Sequence, residues 1–214
     1  MNYNREDTAK QVAAHLLRIE AIKLRPKDPF TWASGWKSPI YCDNRLALSF
    51  PSVRSFICAR MVEVIKNDFK NVEVIAGVAT GAIAIGVLVA DALNLPFVYV
   101  RPEAKSHGRK NQIEGTFEAG KRVLVIEDLI STGKSSLLAV EALRVAEADI
   151  IGMLAIFTYE FDQAAANMSL ANCQLTTLST YSHLIAEAEK QGYVSAEDMD
   201  TLAYWRKSPD TWLG

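Results

Sequence analysis

Residues 123–136, VLVIEDLISTGKSS, hold the densest chemistry in the chain. Four apolar residues run into two adjacent carboxylates, Glu127 and Asp128, and then into Leu129, Ile130, Ser131, Thr132, Gly133, Lys134 and Ser135 ahead of a helical stretch. The small residues leave backbone N–H groups free to surround a phosphate, and the positive end of the following helix adds to the attraction. Two acids would repel a bare polyanion. They suit a ligand that also offers hydroxyl donors, such as a ribose 2′,3′-diol. A Walker A loop competes, because Gly133-Lys134-Ser135 reproduces its ending, but that pattern requires glycine where Asp128 stands. An ordinary buried strand closed by an Asx or Ser turn is the plain alternative. The acid pair, the small residues and the helix within one short window favour the ligand site.

A second cluster of charge lies in RPEAKSHGRKNQIEGTFEAGK, residues 101–121, where Arg101, Lys105, His107, Arg109 and Lys110 are cationic and Gly108 and Gly115 permit bending. It has few apolar side chains and no helical pattern, and loops of this length in compact domains are usually functional or disordered. A solvated surface loop is the competing reading for Arg109 and Lys110. His15 and His183 fall in helical segments and read as structural or exposed.

These segments need a scaffold, and its pattern is legible. Val12, Leu16, Ile19 and Ile22 recur at helical spacing over residues 8–23. Pro26 to Phe50 is rich in aromatic, Gly, Ser and Pro residues and reads as irregular strand and loop. Pro51, after Ser49, starts a helix whose buried face is Val53, Ile57, Met61 and Val64. Beyond it, β-rich runs at 72–77, 96–100, 122–127 and 149–159 alternate with helical runs at 81–93 and 134–147. The strands are continuously apolar, as in a sheet covered on both faces, so a parallel α/β sheet with right-handed crossovers is predicted. A strand near 174–178 and helices near 183–191 and 196–207 complete the chain, with Ser195 and Asp198 spaced as a capping box.

Composition excludes several classes. The chain has 214 residues, half of them apolar, with 11 Gly and 7 Pro, which excludes disordered and collagen-like chains. Its 23 basic and 25 acidic residues leave a charge of −2, so neither nucleic acid nor an acidic membrane is an expected partner. Cys42, Cys58 and Cys173 show no metal or disulfide spacing and point to a reducing compartment. The run Val74 to Ala90 has the length of a marginal membrane span, but its glycines fit strand, turn and buried helix better. With no apolar secretory stretch near the start, a cytoplasmic location is expected.

The acid-pair segment resembles the PRPP-binding motif of type I phosphoribosyltransferases (PRPP is 5-phosphoribosyl 1-pyrophosphate). FTWASGWKSPIY resembles the N-terminal hood segment of the orotate phosphoribosyltransferase family, and VRPEAKSHGRKNQIEG resembles its mobile catalytic loop. The resemblance implies one phosphoribosyltransferase domain over 1–214, with a central parallel sheet flanked by helices and a small hood formed mainly by residues 1–50. It implies that Glu127 and Asp128 hold the ribose hydroxyls and that the turn through Ser135 holds the 5′-phosphate. Arg101, Lys105 and His107 would meet the pyrophosphate as catalytic residues, and Lys37, Tyr41 and Ser131 would meet orotate. Mg²⁺ would ride on PRPP without direct protein ligands, and a homodimer would share the 101–116 loop between subunits. The resemblance also places the backbone of Ala79, Thr80 and Gly81 near pyrophosphate.

Three departures stand out: Gly81 where some members have lysine, Pro102 where some have a basic residue, and Tyr159 where some have an arginine for the carboxylate of orotate. A purine or xanthine phosphoribosyltransferase and a PRPP-sensing regulator without turnover are therefore the alternatives. The regulator is disfavoured by the charge and by the lack of a helix-turn-helix segment outside the α/β core.

Overall fold

The computed structural model describes residues 4–32, 34–102 and 112–213. The chain opens with α1 (Arg5–Arg18), capped by the Asn4 side chain, which accepts from the amides of Glu6 and Asp7. Val12 and Leu16 are fully buried, as their spacing predicts. The helix ends before Ile22, which instead begins β1 (Ile22–Leu24) and is buried there. Next come β2 (Phe30–Thr31), β3 (Lys37–Ser38) and β4 (Ile40–Cys42), forming two small antiparallel ribbons, β1 with β4 and β2 with β3. A 3₁₀ turn over Asn44–Ser49 leads to α2 (Pro51–Asp68), where Pro51 occupies the first helical turn and Val53, Ile57, Met61 and Val64 are buried.

The central sheet is built from β5 (Val74–Val78), β6 (Phe97–Val100), β7 (Ile113–Glu114), β8 (Arg122–Ile130), β9 (Asp149–Thr158) and β10 (Leu175–Thr180). Its order is β10-β9-β8-β5-β6-β7, parallel except for the antiparallel edge strand β7. The sheet is the expected parallel one with one antiparallel strand added at its edge, where the end of the long 101–121 connection folds back on β6. The connecting helices are α3 (Ile83–Leu93), α4 (Lys134–Val145) and α5 (Asp162–Leu170), followed by α6 (Tyr181–Lys190) and α7 (Met199–Lys207). The Ser195–Asp198 capping box is present, closing a 3₁₀ turn before α7.

Alternation along β8 explains the two layers. Leu124 and Ile126 face a core shared with α1, α2, α3 and α6, whereas Val123 and Val125 face a second core under α4 and α5. Both faces are covered, which is why the strands read as unbroken apolar runs. The run Val74 to Ala90 is β5 plus α3, and among the described residues no helix is long and apolar enough to cross a membrane. α3 sits close on the sheet because Gly77 and Gly86 both abut the ring of Phe97, with no space for a side chain at either position.

The small ribbons are held by aromatic packing. Trp32 donates from Nε1 to the Ile40 carbonyl, and Trp205 of α7 donates from Nε1 to the Lys37 carbonyl. Trp205 is fully buried against Trp32, Tyr159, Phe161 and Tyr181. α1 lies instead on the main body, where the Ser179 hydroxyl donates to the Ala9 carbonyl.

Candidate active site

The chain enters the sheet at β5, runs outward through β6 and β7, and returns on the other side of β5 as β8. The direction of winding therefore reverses between β5 and β8. In open α/β sheets ligands bind beyond the carboxyl ends of the strands at such a reversal. A crevice of about 470 Å³ lies there, lined by the turn Val78–Gly81 after β5, by Glu127, Asp128, Leu129, Ser131, Thr132, Gly133, Ser135 and Ser136 from β8 into α4, and by Cys42, Asp43 and Arg45 beyond β4.

The capacity of the turn after β8 to receive an anion comes from backbone geometry. Gly133 adopts a left-handed conformation (φ 75°) at the cap of α4, open to glycine but strained for other residues, and a Cβ there would press on Met168. No protein acceptor takes the amides of Ser131 to Ser136 among the described residues, and no side chain caps the helix. Unpaired amides at a helix start make an anion site. The turn is pinned from behind by Asn167 of α5, whose Nδ2 donates to the Thr132 carbonyl at 2.9 Å.

The acids behave differently from one another. Glu127 is buried, accepting from the Ser136 hydroxyl at 2.7 Å and from the Asp128 amide at 2.9 Å. Burial, reinforced by the neighbouring Asp128 carboxylate, pushes its pKa up to about 8, which favours the protonated form near neutrality. Asp128 is half-buried, with its carboxyl against Gly81. A Cβ at position 81 would collide with that carboxyl, so a lysine here, as in some phosphoribosyltransferases, requires the Asp128 side chain to move. The Asp128 carbonyl accepts from Asn44 Nδ2 at 2.7 Å, and Asn44 in turn accepts from the Cys42 thiol. Burial raises the Cys42 thiol well above its usual range.

The expected site residues are distributed unevenly. Glu127, Asp128, Leu129, Ser131, Thr132, Gly133 and Ser135 line the crevice together. Ile130 is not among the lining residues: β8 runs three residues farther than its sequence pattern suggests, and the Ile130 side chain is fully buried in the core beneath α4. The Lys134 side chain is likewise outside the crevice, on a neighbouring groove of about 930 Å³ with Trp36, Leu138 and Phe161. That larger groove contains neither acid, so the smaller crevice is the chemically equipped one.

Arg101 directly follows β6, with Nε 3.2 Å from Glu114, and is not among the lining residues. Lys37 donates from Nζ to the Thr31 hydroxyl, and Tyr41 is 43% exposed beside the ring of Phe30. Neither lines the crevice. Lys105 and His107, with Arg109 and Lys110, lie outside the described residues. Tyr159 is buried among Trp32, Phe157, Phe161 and Trp205. His183 is structural, within hydrogen-bond reach of Thr180 and Glu6, and His15 packs on Phe56.

Sequence reasoning missed Ser136, Asn44, Asn167 and the Asp43–Arg45 pair. Asp43-Asn44-Arg45 follows Tyr41 after one residue, Cys42, and a polar triplet between a strand and a helix was the available signal.

Residues 54–176 match the phosphoribosyl transferase domain family. The chain is 54% identical over 203 residues to the orotate phosphoribosyltransferase of Porphyromonas gingivalis, covering 95% of this chain and 97% of that protein. It is 51% identical to the orotate phosphoribosyltransferase of Cytophaga hutchinsonii over 99% of both. The orotate phosphoribosyltransferase from Aeropyrum pernix superposes with a TM-score of 0.74 at 29% identity, covering 86% of this chain and 99% of that one. With free amides at a helix start and an acid pair at the sheet's reversal point, and identity above one half along nearly its whole length, the chain belongs to the orotate phosphoribosyltransferase family.

Proposed function

We propose that this chain transfers the phosphoribosyl group of PRPP to orotate, forming orotidine 5′-monophosphate and pyrophosphate. One observation carries the reading: the free amides after β8 and the Glu127–Asp128 pair open into the same crevice. The amides of Ser131 to Ser135 take the 5′-phosphate. Asp128 accepts from a ribose hydroxyl, and Glu127, holding its proton, completes the diol contact as donor or acceptor. The names of the relatives at more than 50% identity supply the base, and they weigh against the purine, xanthine and regulatory alternatives.

A ring nitrogen of the orotate anion attacks C1′. The C1′–O bond to pyrophosphate breaks, with its electron pair leaving on the pyrophosphate oxygen. Positive charge grows on the ribose and negative charge on the leaving group, so cations placed around pyrophosphate lower the barrier. Loss of one such preorganised group typically costs ~10² to 10³ in rate. By resemblance to that family's motifs we give this work to Arg101, Lys105 and His107, and the contacts to orotate to Lys37, Tyr41 and Ser131. Glu127 and Asp128 are the acidic side chains that the crevice takes from β8. That donor set fits Mg²⁺ carried mainly on substrate oxygens with Glu127 and Asp128 nearby, where it would supply charge neutralisation at pyrophosphate. The chain acts as one domain with the ribbons of β1 to β4 as its hood, and as a cytoplasmic homodimer whose 101–116 segments serve the neighbouring crevice.

The test is direct: incubate the protein with PRPP, Mg²⁺ and orotate and follow the loss of orotate's ultraviolet absorbance. Turnover of orotate with release of pyrophosphate is expected. Turnover of a purine base instead, or of no base, would overturn the reading.

A further inference from the structure

Orotate is uracil with a carboxylate on the ring, so a site that prefers it needs a cation for that carboxylate. Tyr159 stands where an arginine would serve some phosphoribosyltransferases, and its ring is buried among Trp32, Phe157, Phe161 and Trp205. Among the described residues lining the crevice, Arg45 carries the only formal positive charge, beside Asp43, Glu127 and Asp128.

Arg45 is held in a defined pose. Its Nε donates to Asp43 Oδ1 at 2.6 Å and its Nη2 to Asp43 Oδ2 at 2.8 Å, a side-on bidentate pair. Asp43 is fixed in turn: its amide donates to the Ala21 carbonyl, and its carboxylate caps the 3₁₀ turn by accepting from the Arg45 amide. A guanidinium has five N–H donors, and this pair occupies two. The edge between Nη1 and Nη2 keeps one parallel N–H from each nitrogen, the geometry that receives a second carboxylate end-on. The side chain is 57% exposed, so a ligand can reach it.

We infer that Arg45, clamped by Asp43 at the mouth of the crevice, recognises the carboxylate of orotate and sets the preference for orotate over uracil. The inference rests on the phosphoribosyl-transfer reading above. It replaces the expected partner beyond β9 with one from the opposite wall, contributed by the turn after β4.

The test compares the wild type with Arg45→Ala and Arg45→Lys in steady-state kinetics with orotate and with uracil, at varied PRPP and fixed Mg²⁺. Losing a charge-assisted contact should raise the orotate KM of Arg45→Ala about 10- to 100-fold. The orotate-to-uracil ratio of kcat/KM should fall by a similar factor, while the PRPP KM stays within about twofold. Arg45→Lys, keeping the charge but losing the fork, should fall between the two. Equal losses for orotate and uracil, or a rise confined to the PRPP KM, would overturn the inference, the latter assigning Arg45 to pyrophosphate. A variant that unfolds at the assay temperature would show a structural role and also overturn it. Failure of the wild type itself to consume orotate would instead sink the underlying functional reading, and this inference with it.

Discussion

Replacing Glu127 with glutamine removes one ionisable proton from the floor of the crevice and keeps the side chain's length. The Ser136 hydroxyl and the Asp128 amide can both still find hydrogen-bonding partners on the amide group, so little stability should be lost at low pH. The folded carboxyl is pushed from 4.5 to about 8 by burial and by Asp128. Below pH ~4.5 folded and unfolded chains both carry the proton, and the group contributes nothing to pH dependence. Between there and pH ~8 only the unfolded chain ionises, so the wild type loses about 1.4 kcal/mol of stability per pH unit from this group. Above that range the loss is complete. Over the whole window it approaches ~5 kcal/mol as a ceiling, which water entry and local relaxation reduce. We predict that Glu127→Gln gains on the order of 2 kcal/mol on the wild type between pH 5 and 8.5, or about 5 °C in Tm for a domain of this size. Thermal unfolding in a series of buffers measures it. Melting curves of the two proteins that stay parallel across that range would refute the raised pKa of Glu127.

Two further substitutions probe how Asp128 is held. Gly81→Ala drives a methyl group into the Asp128 carboxyl, so PRPP affinity should fall at least tenfold; an unchanged Kd by calorimetry would show that Asp128 does not need that position. Asn44→Ala leaves the Asp128 carbonyl without its side-chain donor and should cost about 1 to 3 kcal/mol, or roughly 2 to 10 °C in Tm, together with weaker PRPP binding; an unaltered Tm would count against the tie between hood and sheet.

The acid pair and the small-residue turn could be found in the sequence because both are local: strand, charge pair, glycine and helix start succeed one another within fourteen residues. The sheet was legible for a similar reason, since burial on two faces leaves unbroken apolar runs. Where β8 ends was not. Leu129 and Ile130 pair with Phe157 and Thr158 of β9, and a pairing between distant strands decides that Ile130 enters the core instead of the crevice. Ile22 misled in the same way, continuing the helical period of α1 while its backbone pairs with Cys42. The contacts from Asn44 to Asp128 and from Asn167 to Thr132 span 84 and 35 residues, and nothing in a local window announces them. Arg45 was invisible for a different reason: a charged residue after a strand reads as solvated until the crevice is seen to form beside it.

A structure of the protein with PRPP and Mg²⁺ tests the central claim most directly. The account predicts the 5′-phosphate on the amides of Ser131 to Ser135, with the ribose hydroxyls against Glu127 and Asp128. Electron density for PRPP in the groove beside Trp36, Leu138 and Phe161, or a crevice left empty at saturating PRPP, would contradict it.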